Sequence, residues 1–163
     1  MYYNVKYLTR AAIVAALYAA LTLALAPVSF GMVQFRVSEA LTALPLIMPE
    51  AVPGLAMGCL IANLLGGATP MDVVFGALAT LIAALVTRRL RNKPALALAA
   101  PVIFNGIIVG PVVYLCYEMA EGLFSFPALA FTSLSIAFCE AVVVYTLGWL
   151  LAKSLDRLSI RLH

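Results

Sequence analysis

Arg36 and Glu39 stand three apart in the segment VQFRVSEAL, Asp72 follows Thr69 and Pro70, and Asn63, Asn105 and Glu140 interrupt long apolar runs. A charge at the centre of a bilayer costs about 2.5–3.5 kcal/mol on the insertion scale, so such groups face the protein interior or a cavity. Carboxylates accept two donors at once, and a guanidinium presents a planar fork of donors. The chemistry these residues can do is recognition of a small polar ligand. Catalysis has little support. The only histidine is the last residue, His163, which removes histidine-dependent metal sites and Ser-His-Asp or Cys-His nucleophiles. No GxxxxGK[ST] phosphate loop is present, so the chain alone has no means of hydrolysing nucleotide. We therefore expect no enzyme and no cofactor.

Each residue also has a structural reading. Asp72 fits position N3 of a helix capped by Thr69 with Pro70 at N1. Arg36 and Glu39 are spaced for a local ion pair. Glu118 and Glu121 suit a solvated loop. Asn105 lies close to Gly110-Pro111, where the proline removes a helical hydrogen bond to residue 107 and kinks the backbone. Glu140 has the weakest structural reading: mid-span, its carboxyl carries a proton, binds a ligand or meets a buried cation such as Arg36.

The elements that position these groups follow from composition. Of 163 residues, 65% are hydrophobic and 10% charged, and mean hydropathy is +1.09, whereas soluble domains are about a quarter charged. The chain reads as one domain, an all-α multi-pass membrane protein. Nine of the ten basic residues fall at Lys6 and Arg10, at Arg88 to Lys93, and at Lys153, Arg157 and Arg161. Basic clusters collect on the cytoplasmic side. Apolar runs and proline or glycine breaks predict helices over 11–30, 37–49, 53–66, 70–87, 94–117 and 127–152. The second and third are short for a core that normally takes about 20 residues, so tilt, burial or extension must make up the difference. An even number of crossings between Lys6 and Arg88, then two more, gives six spans with both termini cytoplasmic. Loops 30–37, 66–71 and 118–126 then lie outside. Ala24-Leu25-Ala26 resembles a signal cleavage site, but the uncharged stretch outlasts an h-region, so a retained first helix is expected. The net charge of +3 is accounted for by the inner clusters, without nucleic-acid binding.

With that topology, Gln34, Arg36, Glu39, Asn63 and Asp72 lie toward the outer face, Asn105 and Glu140 near mid-membrane, and Glu50 at the inner face. The pattern is an acidic pocket open to the outside. Tyr114, Tyr117, Phe124 and Phe126 gather near the same face, as an interfacial belt or as stacking surfaces, and Trp149 is expected to anchor the inner surface. Cys59, Cys116 and Cys139 are widely spaced in apolar runs and read as core thiols. Alanines 11, 15, 19 and 12, 16, 20 give the first helix a flat, small-residue face. Such a face admits another helix closely, from a partner or from the same chain.

The segments Val33-Gln34-Phe35-Arg36-Val37-Ser38-Glu39-Ala40-Leu41 and Asp72-Val73-Val74-Phe75-Gly76-Ala77-Leu78-Ala79-Thr80-Leu81, with the alanine ridge, resemble the S components of energy-coupling factor (ECF) vitamin transporters. Within that superfamily they resemble the queuosine-precursor (QueT) family. The resemblance covers nearly the whole chain and implies a six-helix substrate-binding subunit in a prokaryotic cell membrane. Such a subunit captures a preQ1-like deazaguanine base from outside. It docks through Ala11, Ala12, Ala15, Ala16, Ala19 and Ala20 onto a transmembrane coupling subunit that carries two ATPases. Mapped onto this sequence, the family's site implies Gln34, Phe35, Arg36, Glu39, Asn63, Asp72, Asn105 and Glu140. The residues alone leave open a different class, a stand-alone proton-coupled secondary transporter of a small cationic or purine-like solute with Glu140 as proton carrier. The inverted repeats usual in such folds are not visible.

Overall fold

A computed structural model describes residues 5–30, 34–118 and 124–161, and every element among them is helical. The chain runs through α1 (Val5–Ala24), a one-turn helix Ala26–Ser29, α2 (Val37–Leu46), α3 (Ala51–Leu65), α4 (Pro70–Arg89), α5 (Pro94–Cys116) and α6 (Phe126–Leu155). Helix continues past α6 to Arg161. Four of these, α1, α4, α5 and α6, are long and apolar enough to cross a membrane, while α2 and α3 are shorter apolar helices. The expected first helix over 11–30 begins earlier and breaks earlier. Lys6 and Arg10 are carried on α1 itself, and Pro27, which lacks an amide hydrogen, opens the separate turn after Leu25.

The two short helices solve the length problem differently. α2 is a 3₁₀ helix in which Ser38 to Pro45 are all buried. At about 2.0 Å rise per residue it spans roughly 20 Å, too short for a lipid-facing crossing of about 30 Å. It has no need to face lipid, because the other helices enclose it. Its last carbonyls are satisfied from a distance: Arg88 Nη1 donates to the carbonyls of Pro45 (3.1 Å) and Leu46 (3.4 Å). α3 packs lengthwise on α1. A Cβ at Gly54 would sit 2.6 Å from the Ala11 carbonyl oxygen, and one at Gly58 would sit 2.8 Å from that of Ala15. Only hydrogen at those positions permits this approach. Val14, Tyr18, Leu41, Leu44, Leu55 and Cys59 fill the space between α1, α2 and α3.

α4 starts as its sequence implies. Thr69 is extended (φ −62°, ψ 151°) and its hydroxyl accepts the Asp72 amide at 3.3 Å. α5 is interrupted. Residues Asn105–Val109 form a π-helical stretch in which the Gly110 amide donates to the Asn105 carbonyl, five residues back. Pro111 cannot donate to residue 107, and the widened turn accommodates that loss.

The basic clusters gather at one end of the bundle. Arg10 pairs with Glu50 at 3.1 Å, Arg88 holds the C-terminus of α2, and Arg91 and Lys153 line one pocket with Leu46 and Ile47. That clustering is compatible with the expectation, from the positive-inside rule, that this end is cytoplasmic.

Candidate functional site

At the opposite side of α2 from those clusters, a narrow cavity is lined by Gln34, Arg36, Glu39, Asn105, Val109, Ile136 and Glu140. Four segments supply it. The α1–α2 connection gives Gln34 and Arg36, and the first turn of α2 gives Glu39. The π-helical stretch of α5 gives Asn105 and Val109, and α6 gives Ile136 and Glu140. On each of the last two elements the lining residues are four apart, which places them on one face. α5 and α6 meet closely behind the cavity: a Cβ at Gly110 would lie 2.6 Å from Ser133 Cα.

Arg36 is committed to holding the site together. Its Nε donates to the Ser29 carbonyl (3.1 Å), and its Nη2 pairs with Asp72 Oδ2 at 3.4 Å, with both side chains buried. Nη1 approaches Cys59 Sγ at 3.9 Å, and the guanidinium carbon lies 5.4 Å from the Phe30 ring centroid. Asn63 supports the pair from below, donating to the Asp72 carbonyl at 3.0 Å. The salt-bridge partner of Arg36 among the described residues is thus Asp72, and neither Glu39, three residues on, nor Glu140. The physical reason is the backbone: Arg36 precedes the 3₁₀ turn in extended conformation (φ −96°, ψ 100°), which sends its side chain across to α4.

Glu39 instead accepts the Tyr18 hydroxyl of α1. Tyr18 is fully buried, and one turn on, Thr22 Oγ1 meets Ser38 Oγ at 2.6 Å. Tyr18 is the site residue that sequence reasoning missed. The available signal was a phenol at mid-helix in an otherwise aliphatic run, which when buried requires a partner.

The second oxygen of Glu39 (Oε2), Glu140 Oε1 and the Gln34 side-chain nitrogen are buried without a hydrogen-bond partner among the described residues, as are Asp72 Oδ1 and Asn63 Oδ1 beneath them. A buried polar group left unpaired costs about 1–3 kcal/mol, and native interiors leave few of them. Three on one cavity wall and two beneath it is a concentration with chemical meaning. Charge points the same way. Arg36 and Asp72 offset each other, and the carboxyls of Glu39 and Glu140 share the cavity with no cation besides Arg36 among its described lining residues. The site can accept a cation and several hydrogen-bond donors, and Gln34 can donate to a carbonyl.

Other expected residues lie elsewhere. The Phe35 side chain is 37% exposed and is not among the cavity-lining residues. Tyr114 is buried, packs edge-on against Phe124 (5.8 Å between centroids, 89°) and accepts the Ser125 amide at 2.6 Å. That aromatic pair shapes the start of α6, and Phe126 is 71% exposed. Glu121 and most of the loop 118–126 lie outside the described residues, as do the side chains of Tyr117 and Glu118.

A second concavity runs along α1 and α3. It is an apolar groove of about 870 Å³ lined by Ala11, Ala12, Ala15, Ala16 and Ala19 together with Gly54, Met57 and Ile61. The alanine ridge is divided. Ala15 and Ala19 are buried, and the stripe 11, 15, 19 faces the α3 glycines, whereas Ala12, Ala16 and Ala20 are exposed. The small-residue face thus serves packing within the chain on one stripe and leaves the other open.

The profile of the QueT transporter family matches residues 8–157. The queuosine precursor transporter QueT of Lactococcus lactis subsp. cremoris (strain MG1363) is 42% identical over 73 residues, 44% of this chain and 43% of that protein. The match therefore spans less than half of that relative's length. No solved structure matches this chain. With a family match across nearly all of its helices, this multi-pass membrane protein belongs to the QueT transporter family, a family of transporters rather than enzymes.

Proposed function

We propose that the cavity between α2, α5 and α6 binds a queuosine precursor of the 7-aminomethyl-7-deazaguanine type, taken up from outside the cell. The observation that carries this is the carboxyl pair, Glu39 and Glu140, buried in one cavity whose single lining cation, Arg36, is salt-bridged to Asp72 instead. A deazaguanine edge offers adjacent ring N–H and amino donors, which one carboxylate accepts bidentately. The aminomethyl group is cationic at neutral pH and suits the second. Gln34 donates to the base carbonyl, and Asn105 can donate or accept beside it. Arg36, Asp72 and Asn63 form the base of the site. The cavity measures about 10 Å³, so a bicyclic base enters only as the elements that line it move apart.

In this reading the chain is the substrate-binding subunit of an ECF-type importer. It contains no nucleotide-binding loop, and in this reading a partner that carries ATPases powers uptake. The exposed stripe Ala12, Ala16 and Ala20, at the edge of the α1–α3 groove, is the docking surface for the coupling subunit, since small residues let a second helix come near in lipid.

Mass spectrometry of small molecules retained after mild purification tests the substrate. A deazaguanine base should be recovered from wild-type protein and be lost from Glu140→Gln. Recovery of an unrelated solute removes the proposal. Uptake in vesicles tests the coupling: it should require ATP and co-purifying ATPase subunits. Uptake by this chain alone, collapsed by dissipating a proton gradient, would instead establish the secondary-transport reading.

A further inference from the structure

At the end of the bundle opposite the ligand cavity, a pocket of about 330 Å³ is formed by Leu46, Ile47, Arg91, Pro94, Trp149, Ala152 and Lys153. Three separate parts of the chain build it. The C-terminal end of α2 forms its floor, the α4–α5 turn brings Arg91 and Pro94, and α6 brings Trp149, Ala152 and Lys153. Arg91 and Lys153 are both exposed, and no carboxylate is among the described lining residues. The rest of the wall is apolar. Trp149 is 39% exposed, and Leu96 and Leu150 nearby are 54% and 61% exposed, so the pocket adjoins surface that faces lipid tails. One turn before Trp149 on α6, the Tyr145 hydroxyl donates to the Ala95 carbonyl at 2.8 Å and ties α6 to the start of α5 beside the pocket.

We propose that this pocket is a binding site for one anionic phospholipid of the cytoplasmic leaflet. A guanidinium fork from the α4–α5 turn and an ammonium from α6 suit a phosphate diester, the first as a planar two-donor clamp and the second as a point charge. Trp149 sits at the level where indoles meet headgroups, and the apolar wall takes the first methylenes of an acyl chain. Basic pockets between transmembrane helices on the cytoplasmic side bind acidic headgroups on this principle. A free phosphate shares the headgroup's charge but leaves the apolar wall and Trp149 unused. The lipid is therefore the occupant. It bridges α2, the α4–α5 turn and α6, and it fixes the depth of that end of the bundle in the bilayer.

Native mass spectrometry of the full chain, released from micelles doped with phosphatidylglycerol or phosphatidylcholine, tests this without any transport substrate. The unmodified protein should retain one phosphatidylglycerol. Its preference over phosphatidylcholine should be about twenty-five-fold, from two cations at roughly fivefold each. Arg91→Gln with Lys153→Gln should abolish the preference. Arg89→Gln with Arg157→Gln, which removes equal charge from exposed positions outside the pocket, should keep it. Equal retention of both lipids by the unmodified protein overturns the proposal even if the double variant fails to fold. An equal loss in the two double variants overturns it, as does displacement of the bound lipid by millimolar inorganic phosphate.

Discussion

The α1–α2 seam and the α1–α3 seam share a helix and are built on opposite principles. Toward α2, α1 presents Tyr18 and Thr22, which are hydrogen-bonded to Glu39 and Ser38. Toward α3 it presents Ala11 and Ala15 against Gly54 and Gly58. The first seam is specified by polar pairing. The second is specified by the absence of side-chain volume. In lipid, where apolar burial drives helices together only weakly, these are the two devices available, and this protein uses one on each side of a single helix. The polar seam leads into the proposed ligand site, and the apolar seam borders the proposed docking groove. The difference implies that substitutions on the two sides fail in different ways.

The largest effect is expected where a charge is buried. Arg36→Met leaves Asp72 without its cation, and breaking a buried pair costs about 3–5 kcal/mol. Thermal unfolding in detergent should show that loss, together with loss of ligand binding. An unaltered melting profile would mean that the Arg36–Asp72 contact carries no weight. Next comes the apolar seam. Ala15→Leu forces volume into the contact with Gly58, and overpacking of this kind costs about 1–3 kcal/mol. Ligand affinity in the fraction that folds should be unchanged. Tyr18→Phe is milder in stability, since it removes one donor and keeps the ring. It leaves Glu39 less well held, an effect of about 1–2 kcal/mol, read as a roughly five- to thirtyfold loss of affinity in calorimetry with intact secondary structure. If Tyr18→Phe instead lowers stability and spares affinity, the polar seam is a structural joint only. Smallest is Ala16→Leu on the open stripe. Its stability should stay within about 0.5 kcal/mol of wild type and its affinity should be unchanged, while co-purification with an ATPase-bearing complex is lost. The pair Ala15→Leu and Ala16→Leu, adjacent in sequence, thus separates packing from docking.

The sequence makes local features of this molecule legible and hides the long-range ones. Thr69, Pro70 and Asp72 announce the start of α4 because a cap involves residues three apart. Pro111 signals a disturbed helix for the same reason, although that the disturbance is a π-helical stretch depends on what surrounds it. Six of the eight expected site residues, Gln34, Arg36, Glu39, Asp72, Asn105 and Glu140, come together, either on the cavity wall or directly beneath it. They do so because each is a polar group in an apolar run, and burial gathers such groups. Asn63 joins them one layer away, through Asp72. Phe35 carries no such constraint, and its exposed position has no sequence signal. The partner of Arg36 could not be read from spacing, because Glu39 is nearer in the chain and Asp72 is nearer in the fold. Tyr18 was concealed by the alanines around it. The division of those alanines into a packed and an open stripe depends on Gly54 and Gly58, on another helix.

Recognition of the ligand's positive charge by Glu39 and Glu140 is the claim on which the rest depends. Isothermal titration with 7-aminomethyl-7-deazaguanine, and with its neutral 7-cyano counterpart, addresses it in one experiment on wild type and Glu140→Gln. Wild-type protein should bind the aminomethyl compound at least about tenfold more tightly, about 1.4 kcal/mol, and Glu140→Gln should narrow the gap. Equal affinity of the folded wild-type protein for both compounds, or an unchanged preference in Glu140→Gln, would contradict it.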